Sequence, residues 1–265
     1  MTRIIVITSG KGGVGKTTVT ANLGMAIARL GRQVALIDAD FGLRNLDLLL
    51  GLENRVVYTA IDVLAGQCRL EQALVKDKRQ EGVVLLPAAQ SRTKEVVSPD
   101  QMKKLVSALT DKYDYIVIDS PAGIEMGFRN AIAAAQEALI VTTPEIAAVR
   151  DADRVVGLLE AQGIKRIHLI VNRLKPAMVQ AEQMMSVHDV QELLAIPLIG
   201  VIPDDERVIV SSNRGEPLVL AENLSLPGIA VNNIARRLEG QQIPFLDLMA
   251  EQDSLLNRIR RLFRN

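Results

Sequence analysis

Short apolar runs recur along the chain and alternate with longer stretches in which apolar residues have helical spacing. The runs, rich in valine, isoleucine and leucine, fall at residues 4–8, 34–37, 83–86, 115–118, 138–142, 167–171 and 198–202. Strands that are apolar at nearly every position and are separated by helices are typical of a parallel sheet covered on both faces. The pattern therefore predicts an α/β fold, with a mostly parallel sheet and helices on both faces.

Polar residues directly follow several of the predicted strands. A glycine-rich segment follows the first run, Asp38 and Asp40 follow the second, Asp119 follows the run at 115–118, and Asn172 follows the run at 167–171. Ligands of parallel sheets bind outside the carboxyl ends of the strands. We therefore expect these polar residues to share one rim of the sheet.

The glycine-rich segment fits the phosphate-loop pattern G-x-x-x-x-G-K-[ST], between an apolar strand and a predicted helix. Its glycines let backbone N–H groups face phosphate oxygens, and the following helix adds its positive N-terminal end. Lys16 is expected to neutralise the β- and γ-phosphates, and the Thr17 hydroxyl to bind Mg²⁺. The segment predicts a P-loop NTPase whose nucleotide-binding residues are Gly10, Lys11, Gly12, Gly13, Val14, Gly15, Lys16, Thr17 and Thr18.

Asp119 ends an apolar strand, in the form of a Walker B motif. A carboxylate in this position can hold the Mg²⁺ shell of a nucleotide. A strand-terminal aspartate can also be a plain cap for the next element. The phosphate loop upstream favours the metal-binding interpretation.

The segment 254–265 has an amphipathic pattern. Apolar residues at i, i+1, i+4, i+7 and i+8 form one helical face, made of Leu255, Leu256, Ile259, Leu262 and Phe263. Arginines occupy the rest of the helix surface, namely Arg258, Arg260, Arg261 and Arg264. A helix of about ten residues is roughly 15 Å long, too short to span a bilayer but able to lie among the headgroups.

The pattern predicts a P-loop ATPase domain over 1–243, a linker over 244–253 and a membrane-targeting helix over 254–265. Two other interpretations of the helix stay open. It can dock on its own domain with the arginines solvated, or it can bind a partner protein.

Composition narrows the classes of partner and compartment. Lysine plus arginine and aspartate plus glutamate both number 31 among 265 residues, so no nucleic-acid partner is expected. The single cysteine, Cys68, excludes an internal disulfide and fits a reduced cytoplasm. No apolar segment approaches the ~20 residues that cross a bilayer. A cytoplasmic or peripheral membrane protein is therefore predicted.

Lys11 lies inside the phosphate loop and resembles the additional lysine of the K-G-G-x-G-K-[ST] motif of the deviant Walker A ATPases. The chain is similar to cell-division members of that family over nearly its whole length. The similarity is clearest at residues 4–18, 41–47, 55–58, 119–125, 149–154 and 200–203.

The resemblance implies roles for several residues in ATP hydrolysis. Asp38 and Asp40 are similar to the first switch of the family, in which the first aspartate supports the metal and the second positions the attacking water. Lys11 is expected to reach the nucleotide bound by the partner subunit of a homodimer. The implied catalytic residues are Lys11, Lys16 and Asp40, and the implied metal-binding residues are Thr17, Asp38 and Asp119.

The resemblance also implies an adenine pocket. Asn172 and Arg173 lie where the family places an asparagine against the base, and Pro203 and Asp204 are expected to border the same pocket. An asparagine amide can both donate to and accept from the adenine edge. A turn residue at the end of a strand is the plain alternative for Asn172.

In cellular terms, the resemblance implies an ATPase that selects the cell-division site. It would dimerise with ATP on the anionic cytoplasmic face of the inner membrane and recruit a MinC-like inhibitor of the FtsZ ring. A MinE-like activator would stimulate hydrolysis and release it. Asp151 and Asp153 are expected to mark the helix where these partners dock, although their spacing alone indicates only a charged helix face.

Other classes of protein share parts of the pattern. A partition ATPase acting on DNA has the same nucleotide residues, but the amphipathic segment and balanced charge favour a membrane. A metabolic P-loop ligase and a non-hydrolysing ATP-binding scaffold are further alternatives, although Lys11 and Asp40 favour hydrolysis. An iron–sulfur reductase is excluded, because one cysteine per chain cannot supply a four-cysteine cluster in a dimer.

Overall fold

The apolar runs predicted as strands all form strands. The computed structural model describes residues 1–89 and 97–248. The strands are β1 (Arg3–Thr8), β2 (Val34–Asp38), β3 (Val75–Lys76), β4 (Val83–Leu86), β5 (Tyr115–Asp119), β6 (Glu137–Thr142), β7 (Arg166–Leu174) and β8 (Leu198–Pro203). The hydrophobic pattern does not predict β3, because two residues are too few to form an apolar run.

These strands form one eight-stranded sheet in the order β3-β4-β2-β5-β1-β6-β7-β8. β3 pairs with β4 in the antiparallel sense, and every other neighbouring pair is parallel. The predicted mostly parallel α/β sheet is therefore confirmed. β1 lies near the middle, so the phosphate loop that follows it emerges at the centre of the carboxyl edge.

Helices cover both faces of the sheet. They are α1 (Lys16–Arg29), α2 (Leu46–Leu49), α3 (Ala60–Leu64), α4 (Leu70–Ala73), α5 (Pro99–Ser107), α6 (Met126–Ile132), α7 (Ile146–Ala161), α8 (Pro176–Gln180), α9 (Val187–Leu194), α10 (Glu206–Arg214) and α11 (Leu226–Leu238). α1 and α11 contribute to the core on one face, and α5, α6, α7 and α9 to the core on the other. Burial of both faces explains why the strands are apolar at successive positions.

β1 shows this double burial directly. Val6 belongs to the core under α7, whereas Ile5 and Ile7 belong to the core under α1. All three side chains are fully buried. Successive side chains of a strand point to opposite faces, so a central strand must be apolar throughout.

After α11 the chain is fastened to the domain by Arg237. The guanidinium donates to the carbonyls of Ile243 at 2.9 Å, Pro244 at 2.8 Å and Ile199 at 2.9 Å. It also stacks over the ring of Phe245, 4.1 Å from the ring centre. We call residues 241–248 the C-terminal strap.

The strap passes from one face of the sheet to the other. Leu246 packs against the core that contains α1 and α11, and Leu248 packs against the opposite core. The predicted linker 244–253 begins inside this docked segment, and the domain boundaries stay a prediction. The predicted helix 254–265 lies outside the described residues. Within residues 1–89 and 97–248, no helix is long and apolar enough to span a bilayer.

Candidate functional site

The phosphate loop connects β1 to α1 in a conformation that glycine permits. Gly13 and Gly15 have φ angles of 79° and 98°, in the left-handed region where other residues are strained. Gly15 is also the N-cap of α1, and no described side chain caps this end of the helix. The N–H groups of the first helical turn are therefore available to phosphate oxygens.

Gly10, at the start of the loop, is pressed against α7. A Cβ atom built on Gly10 would lie 2.2 Å from the carbonyl oxygen of Asp151, which is backbone and cannot swing away. Only glycine therefore allows this approach between the loop and α7.

Lys16 begins α1 and is buried, with 7% of its surface exposed. Burial lowers the pKa of its ammonium, while the neighbouring carboxylates Asp119 and Asp40 act in the opposite direction. A buried cation at a helix N-terminus provides strong attraction for an anionic group such as phosphate.

The carboxylates of Asp38 and Asp119 meet at the carboxyl edge of the sheet. Asp38 ends β2 and Asp119 ends β5, and the parallel register of these strands pairs the two residues directly. Each is only 1% exposed. Asp119 accepts a hydrogen bond from the Thr20 hydroxyl at 2.9 Å and is also hydrogen-bonded by Thr17. The structure thus brings together the three predicted metal-binding residues.

Asp38 also fixes the segment that follows β2. One oxygen accepts from the backbone N–H of Asp40 at 3.0 Å, and the other accepts from those of Asn45 and Leu46 at 3.2 Å. Asn45 and Leu46 form the N-terminal end of α2. The carboxylate therefore anchors both the residue predicted to orient water and the start of the next helix.

The two carboxylates are held in an unfavourable environment. Burial raises the pKa of Asp38 to about 7, helped by the charge of Asp119, although backbone N–H groups lower it. Burial also raises the pKa of Asp119 to about 6, against the hydrogen bonds of Thr17 and Thr20 and the charge of Lys16. A cation bound beside these two acids would offset the unfavourable negative charge that raises their pKa values, so the pair is a candidate metal-binding site.

Mg²⁺ fits this set of donors. It is usually bound through one or two carboxylates, with water and substrate phosphates as further ligands. Thr17, Asp38 and Asp119 supply hard oxygen donors beside the phosphate loop. In the part of the chain that the structure describes, no group of three or more His, Cys, Asp and Glu residues could hold a metal ion. The two carboxylates and the hydroxyl beside the phosphate loop instead fit a cation that is also bound by the phosphates of a nucleotide.

Asp40 is half-buried and lies beside Asp38, to which its backbone N–H donates. Burial raises the pKa of its carboxyl group, and the charge of Lys16 lowers it. The charged groups of Asp40 and Lys16 are therefore near enough to interact.

Lys11 has a different environment from Lys16. Its side chain is 46% exposed, and its ammonium lies 3.5 Å from a carboxylate oxygen of Glu145, the N-cap of α7. An exposed ion pair of this kind contributes little to stability. The lysine is therefore held at the surface of the described chain.

A cavity of about 1190 Å³ opens beside the phosphate loop. The predicted base-contacting residues Asn172, Arg173, Pro203 and Asp204 all line it. Arg173 adopts a left-handed conformation, with φ of 56°. The Nδ2 atom of Asn172 donates to the carbonyl of Val14 at 2.7 Å. The cavity and the phosphate loop are thus in direct contact.

The cavity also has a wall that the sequence pattern does not predict. Lys175 pairs with Asp204 across 3.3 Å at its rim. Met178, Met184 and Met185 add flexible apolar surface from α8 and the segment after it. No motif spacing links these residues to the loop.

The residues predicted to bind protein partners lie on α7. Asp151 is partly exposed and forms an ion pair with Arg154 across 3.7 Å, and Asp153 is exposed. The predicted membrane residues Leu255, Leu256, Arg258, Ile259, Arg261, Leu262 and Phe263 lie outside the described residues.

Comparison with known proteins supports the family resemblance. The family model of the CobQ/CobB/MinD/ParA nucleotide binding domain matches residues 5–218. The septum site-determining protein MinD of Synechocystis sp. is 70% identical over 261 residues, which cover 98% of this chain and 98% of that protein.

Solved structures agree with this result. In the MinC:MinD cell division protein complex of Aquifex aeolicus, a chain with 50% identity and a TM-score of 0.85 covers 91% of this chain and 98% of its own length. The septum site-determining protein MinD complexed with Mg-ADP from Pyrococcus horikoshii has 36% identity and a TM-score of 0.81, covering 90% and 96%. The chain therefore belongs to the CobQ/CobB/MinD/ParA nucleotide-binding family and, within it, to the septum site-determining MinD proteins.

Proposed function

We propose that this chain hydrolyses Mg-ATP and uses its two nucleotide states to select the site of cell division. The observation that carries the proposal is the meeting of Lys16, Asp40 and the paired acids Asp38 and Asp119 beside one phosphate loop. Relatives named as septum site-determining proteins, with structures containing Mg-ADP or MinC, support the cellular role.

Catalysis would consist mainly of positioning and charge stabilisation. Mg²⁺, when bound, neutralises charge on the β- and γ-phosphates, and Thr17, Asp38 and Asp119 would hold it. Lys16 would stabilise charge on the phosphates, and Asp40 would orient water for in-line attack. Such effects supply most of the acceleration in phosphoryl transfer.

ATP would also control dimerisation. Lys11 is exposed and paired with Glu145, so it can exchange this weak ion pair for the nucleotide of a second chain. The second chain would contribute positive charge that each site lacks alone. Hydrolysis would then occur in the homodimer.

Dimerisation would in turn control membrane attachment through the segment 254–265. Its four arginines supply only ~4 kcal/mol near an anionic leaflet, at ~1 kcal/mol each. One segment should therefore bind weakly, whereas two on one dimer bind tightly by effective concentration. The ATP-bound dimer would reside on the cytoplasmic face of the inner membrane.

Partner proteins would recognise the same ATP-bound dimer. A MinC-like inhibitor would be recruited by the membrane-bound dimer, and a MinE-like activator would stimulate hydrolysis and release it. We place the docking surface around Asp151 and Asp153 on α7, the helix that abuts the phosphate loop through Gly10. Binding there would be sensitive to the conformation of the loop.

Co-sedimentation with anionic phospholipid vesicles tests the proposal. The full chain and a version truncated before Ser254 are compared in Mg-ATP and in Mg-ADP, with phosphate release measured in the same samples. Because the truncation keeps every proposed nucleotide residue, it serves as the control for lipid binding, and Asp40→Ala serves as the control for hydrolysis. We expect the full chain to pellet mainly in ATP and the truncated chain to remain in solution.

Two results would contradict this function. Equal pelleting in ATP and ADP, or no pelleting in either, would contradict nucleotide-controlled membrane binding. Absence of phosphate release would contradict ATP hydrolysis by this chain. ATP-dependent retention on double-stranded DNA without vesicle binding would instead favour a partition ATPase.

A further inference from the structure

The side chain of Asn172 bridges the base cavity and the phosphate loop. It belongs to β7, which lies two strands away from β1 in the sheet. The Nδ2 atom donates to the carbonyl of Val14 at 2.7 Å, and Asn172 is only 8% exposed. The contact is therefore a buried tertiary hydrogen bond onto the loop.

The contact extends to the next residue of the loop. A Cβ atom built on Gly15 would lie 2.4 Å from the Nδ2 atom of Asn172. Gly15 has a left-handed backbone, with φ of 98°, and α1 begins with Lys16 directly after it. The amide thus packs on the turn that sets the direction of the first helical N–H groups and of the Lys16 side chain.

The chemistry of the contact fixes which end of the amide faces the loop. A backbone carbonyl can only accept a hydrogen bond, so the amino group of Asn172 must point at Val14. Loss of the donor would leave the Val14 carbonyl without this partner and would loosen the turn at Gly15. This function of the amide does not require a base in the cavity.

We propose that Asn172 is a positioning residue for the phosphate loop and that it couples the base subsite to the phosphate subsite. The inference rests on the proposed nucleotide site and adds a role that is separate from contact with the base. A ligand that orders Asn172 from the cavity side also orders the turn at Gly15. The phosphate subsite is then better formed when a base is present.

Binding of a base-free ligand separates this role from base recognition. Titration calorimetry with Mg-ATP and with Mg-tripolyphosphate is applied to the full chain and to Asn172→Ala and Asn172→Asp. The aspartate variant keeps the shape but places an acceptor against the Val14 carbonyl. We expect tripolyphosphate binding to weaken about tenfold in the alanine variant and further in the aspartate variant, as for a lost buried hydrogen bond.

Asn130→Ala is the matched control, because Asn130 is a similarly buried asparagine, 5% exposed, that lies on α6 and does not line the cavity. We expect this variant to keep the tripolyphosphate affinity of the unchanged chain. Tripolyphosphate affinity that is unchanged in both Asn172 variants would overturn the inference while leaving the proposed function intact. Failure of the unchanged chain to bind Mg-ATP would contradict the proposed function itself.

A second measurement needs no variant, so it stands even if the substitutions prevent folding. Adenosine and Mg-tripolyphosphate are titrated into the unchanged chain, each in the absence and in the presence of the other. Coupling between the subsites requires that each ligand raise the affinity for the other by the same factor. Independent binding of the two ligands would overturn the coupling.

Discussion

At the scale of single residues, the burial of Asp38 beside Asp119 has a direct consequence for pH dependence. Their pKa values of about 7 and about 6 lie above the ordinary 3.8, so between these values the folded chain holds protons that the unfolded chain has lost. Their contribution to stability is therefore full below the unfolded pKa and is lost as pH rises through about 6 and 7. At neutral pH the paired charges oppose folding until a cation binds.

We expect Mg²⁺-dependent binding of ADP to strengthen between about pH 5 and about pH 8, because protonated carboxyl groups of Asp38 and Asp119 cannot coordinate the metal. Where one proton is displaced, the slope is about tenfold in affinity per pH unit. Titration calorimetry measures this pH dependence of the affinity. ADP binding in the presence of EDTA is the control, and its affinity should not show this slope. The same affinity at both ends of the range would show that these two groups do not hold the metal.

Motif spacing predicted the residues of the phosphate loop and the acids, and the structure places them around one site. It did not predict Thr20 or Glu145. Thr20 contacts Asp119 only because α1 packs across the end of β5. Glu145 lies beyond the end of β6, so the strand-end rule could have found it, but a lone glutamate there carries no motif. The spacing of residues along the sequence does not reveal contacts between distant segments of the chain.

At the scale of elements, the C-terminal strap is a peripheral segment with a defined anchor. Three carbonyl hydrogen bonds and the ring of Phe245 converge on the guanidinium of Arg237. The strap therefore sets where the chain leaves the domain before the predicted membrane helix.

Arg237→Ala should release the strap without unfolding the domain. Loss of these contacts costs about 1–2 kcal/mol locally, so we expect hydrogen exchange and proteolysis within 241–248 to become about tenfold faster. Arg154→Ala is the control for loss of a surface arginine, because this exposed residue of α7 pairs with Asp151 and has no described contact with the strap. Unchanged protection of the strap in the Arg237 variant would show that Leu246 and Leu248 hold it alone.

The strands show which parts of the fold the hydrophobic pattern can predict and which it cannot. A strand buried on both faces must be apolar throughout, so each central strand was predictable from its own residues. β3 is too short for a pattern, and its pairing with β4 depends on the turn between them. The strap was not predicted as part of the fold, because its attachment depends on one arginine of α11 rather than on a repeating pattern.

At the scale of the whole molecule, a homodimer with Lys11 acting across the interface makes a quantitative prediction. Lys11→Ala and Asp40→Ala should each be inactive alone. In an equal mixture, half of the dimers are mixed, and each has one site with an intact Asp40 and a lysine from the other chain. Phosphate release should therefore recover to about a quarter of the unchanged activity, as random pairing in a two-fold dimer requires.

The matched control is Lys11→Ala mixed with a Lys11→Ala, Asp40→Ala double variant, which cannot form a complete site and should stay inactive. Recovery in the first mixture and not in the second identifies Lys11 as acting across the interface. Absence of recovery in the first mixture, with dimer formation verified by light scattering, would place Lys11 in its own chain's site.

The contact between Gly10 and α7 has a mechanical meaning. With room for no more than a hydrogen atom on Gly10, the loop and the Asp151 backbone form a stiff joint. Packed protein interiors are barely compressible, so we expect a small displacement of α7 toward the loop to displace Gly10 as well. We therefore expect a regulator that binds the outer surface of α7 and displaces the helix to change the phosphate-binding backbone through this single contact.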